Sequence, residues 1–192
     1  MTASKAASRQ TSKLLQLKIE LDHIRPAIWR RVVVPETITL TALHKVIQIA
    51  MGWTDSHLHE FEIGGVRYGM PDPDFPFFDE VVSEKRVRLS KCLGSLKSLR
   101  YTYDFGDDWL HGIKVEKLLP PDDLPVPRCT GGANACPPED VGGPFGYVQF
   151  LEVLADPSHP DHEGMLDWYG DAFDAAQLDL ERINRRLGAM RA

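Results

Sequence analysis

The sequence lacks long hydrophobic runs and contains little cysteine. No apolar stretch approaches the roughly 18 residues of a membrane-spanning helix, and the polar N-terminus, residues 1–13, has no apolar signal core. The sequence has three cysteines. An odd number fits a reduced compartment better than a disulfide framework. We therefore expect a soluble, cytoplasmic protein with no membrane partner.

The sequence also lacks an excess of positive charge. It has 22 lysines and arginines against 28 aspartates and glutamates, a formal net charge of −6. Because phosphate contacts need a basic surface, this balance argues against a general nucleic-acid binder. Local basic faces remain open as a DNA-associated alternative, at Arg25, Arg30 and Arg31 or at Arg182, Arg185 and Arg186.

The overall amino-acid composition is typical of a globular protein. The 192 residues are 43% hydrophobic and 26% charged, which suits one sizeable core and is short for two domains. We predict a flexible N-terminal arm over residues 1–13 and a single domain over residues 14–192.

The hydrophobic pattern predicts an α+β fold with a mostly antiparallel sheet covered by helices. Residues 15–21 alternate between apolar and polar, as a one-faced strand does. Thr39 or Thr41 is predicted to cap a helix that Gly52 closes. Residues 120–146 are rich in proline and glycine, so no regular element is expected to run far there. The remaining helices follow, which concentrates helix in the C-terminal third.

The clearest element is a hairpin over residues 101–116. Tyr101, Tyr103 and Phe105 alternate with polar residues, and Gly106 lies in a turn-forming segment. A two-residue loop would put Asp104 opposite Trp109, on the same face as His111. A three-residue loop would bring Tyr103 and Phe105 to that face and move Asp104 to the other, and the sequence leaves both open.

A metal site is one hypothesis for the histidines. His57 and His59 alternate along a predicted strand, so their rings would lie on one face about 7 Å apart. The candidate third ligand is His111, Asp104, Asp107 or Asp108, and histidine with carboxylate suits zinc, manganese or iron rather than calcium. The alternative is that His57 and His59 are partly buried and hydrogen-bond to carboxylates such as Glu60 or Asp55.

The hairpin and the proline-rich segment together supply a candidate pocket. Its predicted residues are acidic or aromatic: Asp104, Asp107, Asp108, Trp109, Glu139 and Asp140. Cys129 and Cys136 are separated by six residues, which is not zinc-knuckle spacing, although a soft metal or a reactive thiol is a second hypothesis for them. The glycines at 142–146 precede a predicted helix whose N–H groups can hold an anion.

Several motifs resemble the plasmid pRiA4b ORF-3-like family. They are Arg25-Pro26 with Ile28-Trp29-Arg30-Arg31, Met51-Gly52-Trp53, His57-Leu58-His59-Glu60-Phe61, Tyr103 to Trp109 with His111, and Cys136-Pro137-Pro138-Glu139-Asp140 with Gly142-Gly143. The resemblance covers nearly everything after the N-terminal arm. It implies an α+β domain from a family without an established activity. Some members carry a transposon resolvase label, but the serine-centred or tyrosine-centred residue sets that a recombinase needs are not found in this acidic chain.

Two functional hypotheses remain, and the sequence does not decide whether the protein is an enzyme. The first is a binding or accessory module associated with mobile elements, with a protein or small-molecule partner. The second is a metal-dependent, hydrolase-like enzyme that uses His57, His59 and His111 with Asp104, Asp107 or Glu139.

Overall fold

A computed structural model describes residues 12–71, 81–170 and 172–190, and its main feature is one eight-stranded sheet. The strands are β1 (Leu14–Leu21), β2 (Trp29–Pro35), β3 (His59–Ile63), β4 (Val66–Gly69), β5 (Val81–Ser83), β6 (Ser98–Tyr103), β7 (Trp109–Leu119) and β8 (Arg128–Ala133). Their spatial order is β5-β4-β3-β6-β7-β1-β2-β8. Only the β4–β5 pair is parallel among these strands, so the predicted α+β class and mostly antiparallel sheet are confirmed.

Five helices accompany the sheet in the described residues. They are α1 (Leu40–Met51), α2 (Leu89–Leu93), α3 (Gly143–Ala155), α4 (His162–Tyr169) and α5 (Leu180–Gly188). Two of them lie in the first half of the chain, so the predicted concentration of helix in the C-terminal third is not confirmed. In the described ranges, no helix is long and apolar enough to cross a membrane.

The hydrophobic core lies between one face of the sheet and the helices. Leu17 and Ile19 of β1 are fully buried, whereas Lys18 between them is half-buried on the opposite face. Helix α1 packs into the same core. The side chain of Thr39 accepts a hydrogen bond from Ala42 N at 3.2 Å, and Gly52 ends the helix in the left-handed conformation, as predicted.

The proline-rich segment contains more regular structure than predicted. Strand β8 forms within residues 120–146 and pairs antiparallel with β2. Two of its residues, Gly131 and Gly132, have no side chains to show an alternating pattern, which explains why the strand has no sequence signal. The predicted N-terminal arm, residues 1–13, lies almost wholly outside the described residues.

The central hairpin is formed by β6 and β7, but its loop differs from both predicted forms. Tyr103 lies opposite Trp109, and Tyr101 lies opposite His111. The loop therefore has five residues, 104–108, rather than two or three. With this register, Asp104 leaves the ladder and does not lie opposite Trp109.

Candidate metal centre at the central hairpin

Three connecting segments meet at one end of strands β3, β6 and β7. They are residues 53–58 between α1 and β3, the hairpin loop 104–108, and the turn 139–142 before α3. Hydrogen bonds between the segments hold them in contact, and they bring one imidazole and three carboxylates close together.

His57 and Asp104 approach each other because the β3–β6 ladder ends beside them. Asp104 N donates a hydrogen bond to Leu58 O at 2.9 Å, one step beyond the His59–Tyr103 pair. The Asp104 carboxylate accepts a hydrogen bond from Gly106 N at 2.9 Å through Oδ1. Its other oxygen, Oδ2, lies 3.6 Å from His57 Nε2. The loop backbone thus fixes one carboxylate oxygen and leaves the second facing the imidazole.

Asp140 approaches the same nitrogen from the turn before α3. Its Oδ1 lies 3.1 Å from His57 Nε2. The turn is held against the hairpin loop because Asp107 Oδ2 accepts a hydrogen bond from Gly142 N at 3.2 Å. The sequence suggested that the N–H groups at this glycine-rich helix start hold an anion. In the structure, the Asp107 carboxylate accepts a hydrogen bond from one of these groups, Gly142 N.

Glu139 is held tightly beside this group. Its Oε1 accepts hydrogen bonds from Thr54 N at 2.8 Å, from Thr54 Oγ1 at 3.0 Å and from the Tyr103 hydroxyl at 3.1 Å. Its Oε2 lies 4.0 Å from His57 Nε2. Burial, together with the neighbouring Glu139 carboxylate, raises the pKa of Tyr103 well above its usual range, so the hydroxyl stays protonated as a donor.

The ligand atoms of His57, Asp104 and Asp140 are close enough together that they could hold a metal ion. One ligand atom from each lies within 4.8 Å of the other two, and this is the only such group in the described ranges. Within the residues that the structure describes, His57 Nε2 is buried yet makes no hydrogen bond. Zinc bonds of about 2.0–2.2 Å in a tetrahedron place ligand atoms about 3.3–3.6 Å apart, and the two separations from this nitrogen are 3.1 and 3.6 Å.

The predicted ligand set of His57, His59 and His111 is not brought together. His59 Nε2 lies 2.9 Å from Glu84 Oε2, and its ring stacks on His44 at 3.5 Å between centroids. His57 precedes β3 rather than lying in it, so the strand alternation that was used to pair the two histidines does not apply. The carboxylate partner of His59 is Glu84, not Glu60 or Asp55.

His111 and Trp109 belong to the core rather than to an open pocket. His111 Nδ1 donates to Trp109 O at 2.9 Å, and burial lowers the pKa of His111 to about 4, so the ring is neutral near pH 7. The Trp109 side chain is fully buried. Asp108, by contrast, is exposed in the hairpin loop.

The two cysteines of the proline-rich segment do not have the character of reactive thiols. Burial raises the pKa of both Cys129 and Cys136, which disfavours the nucleophilic thiolate. Cys129 also donates a weak hydrogen bond to Gly131 O at 3.4 Å. Neither thiol is part of a three-residue ligand group in the part of the chain that the structure describes.

Sequence reasoning missed Thr54 and placed Tyr103 in the hairpin without a role at the site. Both side chains orient Glu139, but Thr54 has no local signal because its partner is 85 positions away. The side chain of Tyr103 is fully buried in β6. Only the contact between distant segments reveals that its hydroxyl reaches the site.

The comparisons with known proteins give a family and a fold, and no activity. The family described as "Plasmid pRiA4b ORF-3-like protein" matches residues 13–182. The chain is 42% identical over 184 residues to the uncharacterized protein y4hQ of Sinorhizobium fredii (strain NBRC 101917 / NGR234), covering 94% of each chain. It is also similar to the crystal structure of a protein of unknown function, MM3350 from Methanosarcina mazei Go1. That match has a TM-score of 0.81 and 41% identity, and covers 90% of this chain and 98% of the other.

Proposed function

The chain belongs to the plasmid pRiA4b ORF-3-like protein family, and because its matched relatives have no assigned activity, we propose a function from the site geometry. The protein binds a divalent transition-metal ion, zinc or manganese, through His57, Asp104 and Asp140.

The observation that carries this proposal is the environment of His57 Nε2. This buried nitrogen has no hydrogen bond to any described residue and faces carboxylate oxygens of Asp140 and Asp104. The two carboxylates repel each other, whereas a divalent cation between them would be attracted to both and would accept the lone pair of His57 Nε2. A mixed nitrogen and oxygen donor set suits zinc or manganese better than calcium.

The number of ligands favours a catalytic role over a purely structural one. Structural zinc sites are usually closed by four protein ligands, whereas catalytic sites have three and keep one position open. A metal ion at such a site lowers the pKa of a bound water and makes it a nucleophile. The Glu139 carboxylate, held by Thr54 and Tyr103, lies 4.0 Å from His57 Nε2 and would be available to orient such a water. We therefore extend the proposal to a metal-dependent, hydrolase-like enzyme.

Metal content and metal affinity test the proposal. Protein purified without an affinity tag should contain a stoichiometric metal, and the chelated protein should bind added zinc or manganese in calorimetry. His57→Ala and Asp140→Asn should each weaken binding at least about tenfold, because each removes one of three ligands. Asparagine tolerates the positive φ of 58° at position 140, so this variant should keep the backbone.

Two surface substitutions provide matched controls. His159→Ala and Asp167→Asn make the same chemical changes at positions outside the group, and both should bind metal as the wild type does. A metal-free protein with no affinity for either ion would overturn the proposal. Equal loss of affinity in the control variants would also contradict it.

A non-enzymatic binding or accessory module is the second candidate function. Large apolar side chains of α3 and α4 are exposed near Asp140, among them Phe145 and Trp168, and such side chains are typical of partner surfaces. Three free cysteines favour a reducing, cytoplasmic location for either function. An association with mobile elements is supported only by the family description. A protein that binds no metal would leave this candidate in place of the first.

A further inference from the structure

A cavity separate from the His57 group includes Glu139, but not His57, in its lining. It has a volume of about 360 Å³ and is bordered by the C-terminal end of α1, the proline-rich turn and α5. This volume is within the range of about 300–1,000 Å³ that is typical of small-molecule sites. Its walls combine arginines, carboxylates and the apolar side chains of Phe173 and Leu178.

The carboxylates of this cavity already accept hydrogen bonds. Glu139 accepts from Thr54 and Tyr103. Asp174 accepts from Ala176 N at 2.9 Å, and Asp179 caps α5 by accepting from Arg182 N at 2.8 Å. These three negative groups are therefore satisfied in part by protein donors.

The arginines of the cavity are not equivalent. Arg30 is buried and donates to four backbone carbonyls, including Ala50 O at 2.8 Å and Asn134 O at 2.8 Å. Its guanidinium therefore has a structural role, since these hydrogen bonds are all to the protein backbone. Within the described residues, the guanidinium groups of Arg182 and Arg186 make no hydrogen bond or ion pair, although both line the cavity.

The position of these two arginines suits an anion. They are four residues apart on α5, so their side chains lie on the same face of the helix. A guanidinium offers planar pairs of N–H donors that match carboxylate and phosphate oxygens. As far as the described residues go, the cavity thus has cationic donors without a protein partner, and they lie next to an apolar wall.

We propose that this cavity binds a small organic anion whose carboxylate or phosphate group pairs with Arg182 and Arg186 and whose apolar body packs against Phe173 and Leu178. This inference goes beyond the proposed metal site and does not require a metal, although Glu139 borders both sites. The two binding events can therefore be tested separately.

The test uses phenyl phosphate, benzoate and inorganic phosphate with chelator-treated protein at low salt. Calorimetry should show saturable binding of phenyl phosphate or benzoate, tighter than about 1 mM, and weaker binding of inorganic phosphate, which lacks the apolar body. Comparison of the two aromatic anions distinguishes phosphate from carboxylate as the preferred group. Because metal is absent, failure here would not bear on the metal site.

Substitutions on α5 locate the binding. The Arg182→Gln, Arg186→Gln double variant should lose at least about tenfold in affinity, since each arginine contributes charge-assisted hydrogen bonds. Arg185→Gln makes the same change on the same helix at an exposed position outside the cavity lining, and its affinity should be unchanged.

A wild-type measurement guards against a variant that does not fold. In NMR titrations, the Nε–H signals of Arg182 and Arg186 should shift with phenyl phosphate or benzoate, while that of Arg185 should stay in place. Absence of saturable binding at about 10 mM anion would overturn the proposal. Equal shifts or equal losses at all three arginines would also overturn it, because they indicate non-specific attraction to the helix.

Discussion

At the scale of single residues, burial separates structural ionisable groups from candidate ligands. Glu84 is 4% exposed. Burial by itself would raise its pKa, but hydrogen bonds from His59 and Thr41 bring it below the ordinary value. The buried Glu84 is therefore charged and paired with His59, which is a costly arrangement to break. By contrast, His57 has a buried nitrogen that faces carboxylates without a hydrogen bond, which is why it is the better ligand candidate.

Glu116 provides a pH-dependent prediction at this scale. Hydrogen bonds from Arg31, at 2.7 and 3.0 Å, lower the pKa of Glu116 to about 2. Because the folded pKa is depressed, this stabilisation is present above the unfolded pKa near 4.5 and is lost as the pH falls towards 2. Glu116→Gln should lower the free energy of unfolding by about 1 kcal/mol at pH 7, a modest amount because solvent screens the pair.

Urea denaturation at several pH values checks this prediction. The difference between wild type and Glu116→Gln should narrow as the pH falls from 5 to 2. Glu62→Gln is the control, since Glu62 is exposed and makes no ion pair within the described ranges, and its effect should stay small throughout. If the difference in free energy of unfolding between wild type and Glu116→Gln did not depend on pH, the stabilisation would not come from the charged Glu116–Arg31 pair.

At the scale of elements, close backbone contact sets the position of the turn before α3. Gly143 has a φ of +68°, and a Cβ there would lie 2.5 Å from Asp107 O. A residue with a side chain could not keep both the left-handed conformation and this contact without strain. The glycine therefore lets α3 begin against the hairpin loop, which brings Asp140 to His57.

Gly143→Ala should damage both stability and the metal site. We expect a loss of about 2–4 kcal/mol in the free energy of unfolding, from left-handed strain and steric overlap. Metal affinity should also fall, because Asp140 would be displaced. Denaturation and calorimetry on the same preparations measure the two effects.

Gly164→Ala is the matched control for this substitution. Gly164 lies in α4, and a Cβ there would meet nothing within 4 Å. Alanine should therefore be neutral or stabilise by about 0.5–1 kcal/mol through its higher helix propensity. If Gly143→Ala behaved like Gly164→Ala, the role assigned to the close contact would be wrong.

At the scale of the whole molecule, the C-terminal helix protects an edge of the sheet. Strand β8 is the last strand in the sheet order, and unpaired edge strands tend to pair with other chains. Asn184 of α5 satisfies both backbone groups of Cys129 in β8. Its Oδ1 accepts from Cys129 N at 2.8 Å, and its Nδ2 donates to Cys129 O at 2.9 Å.

Asn184→Ala should therefore weaken this edge. The variant leaves two backbone groups without their partner, so the free energy of unfolding should fall by about 2 kcal/mol. Hydrogen exchange of the Cys129 amide should accelerate. Arg185→Ala, one residue along the same helix and exposed, should change neither quantity. Unaltered protection of the Cys129 amide in Asn184→Ala would contradict this role for the side chain.

Local patterns predicted the elements better than the site. The alternation of Leu17 and Ile19 with polar residues, the Thr39 cap and the Gly52 end all depend on neighbours within a few positions, and all agree with the structure. The five-residue hairpin loop and strand β8 depend on pairing with distant strands, so no local signal identified them. The candidate site shares this limit: Asp104, Glu139 and Asp140 were predicted as a group, but His57 was paired with His59.

The sequence by itself determined the mixed α+β class, the positions of the first strand, the first helix and the central hairpin, and a short set of residues capable of chemistry. These follow from backbone periodicity and residue type, which are local properties. Only the tertiary structure decided that His57 faces Asp104 and Asp140 while His59 faces Glu84 and His111 is enclosed by the core. The physical reason is that ligand atoms from segments far apart in the chain converge only through docking of a hairpin loop, a strand end and a helix start.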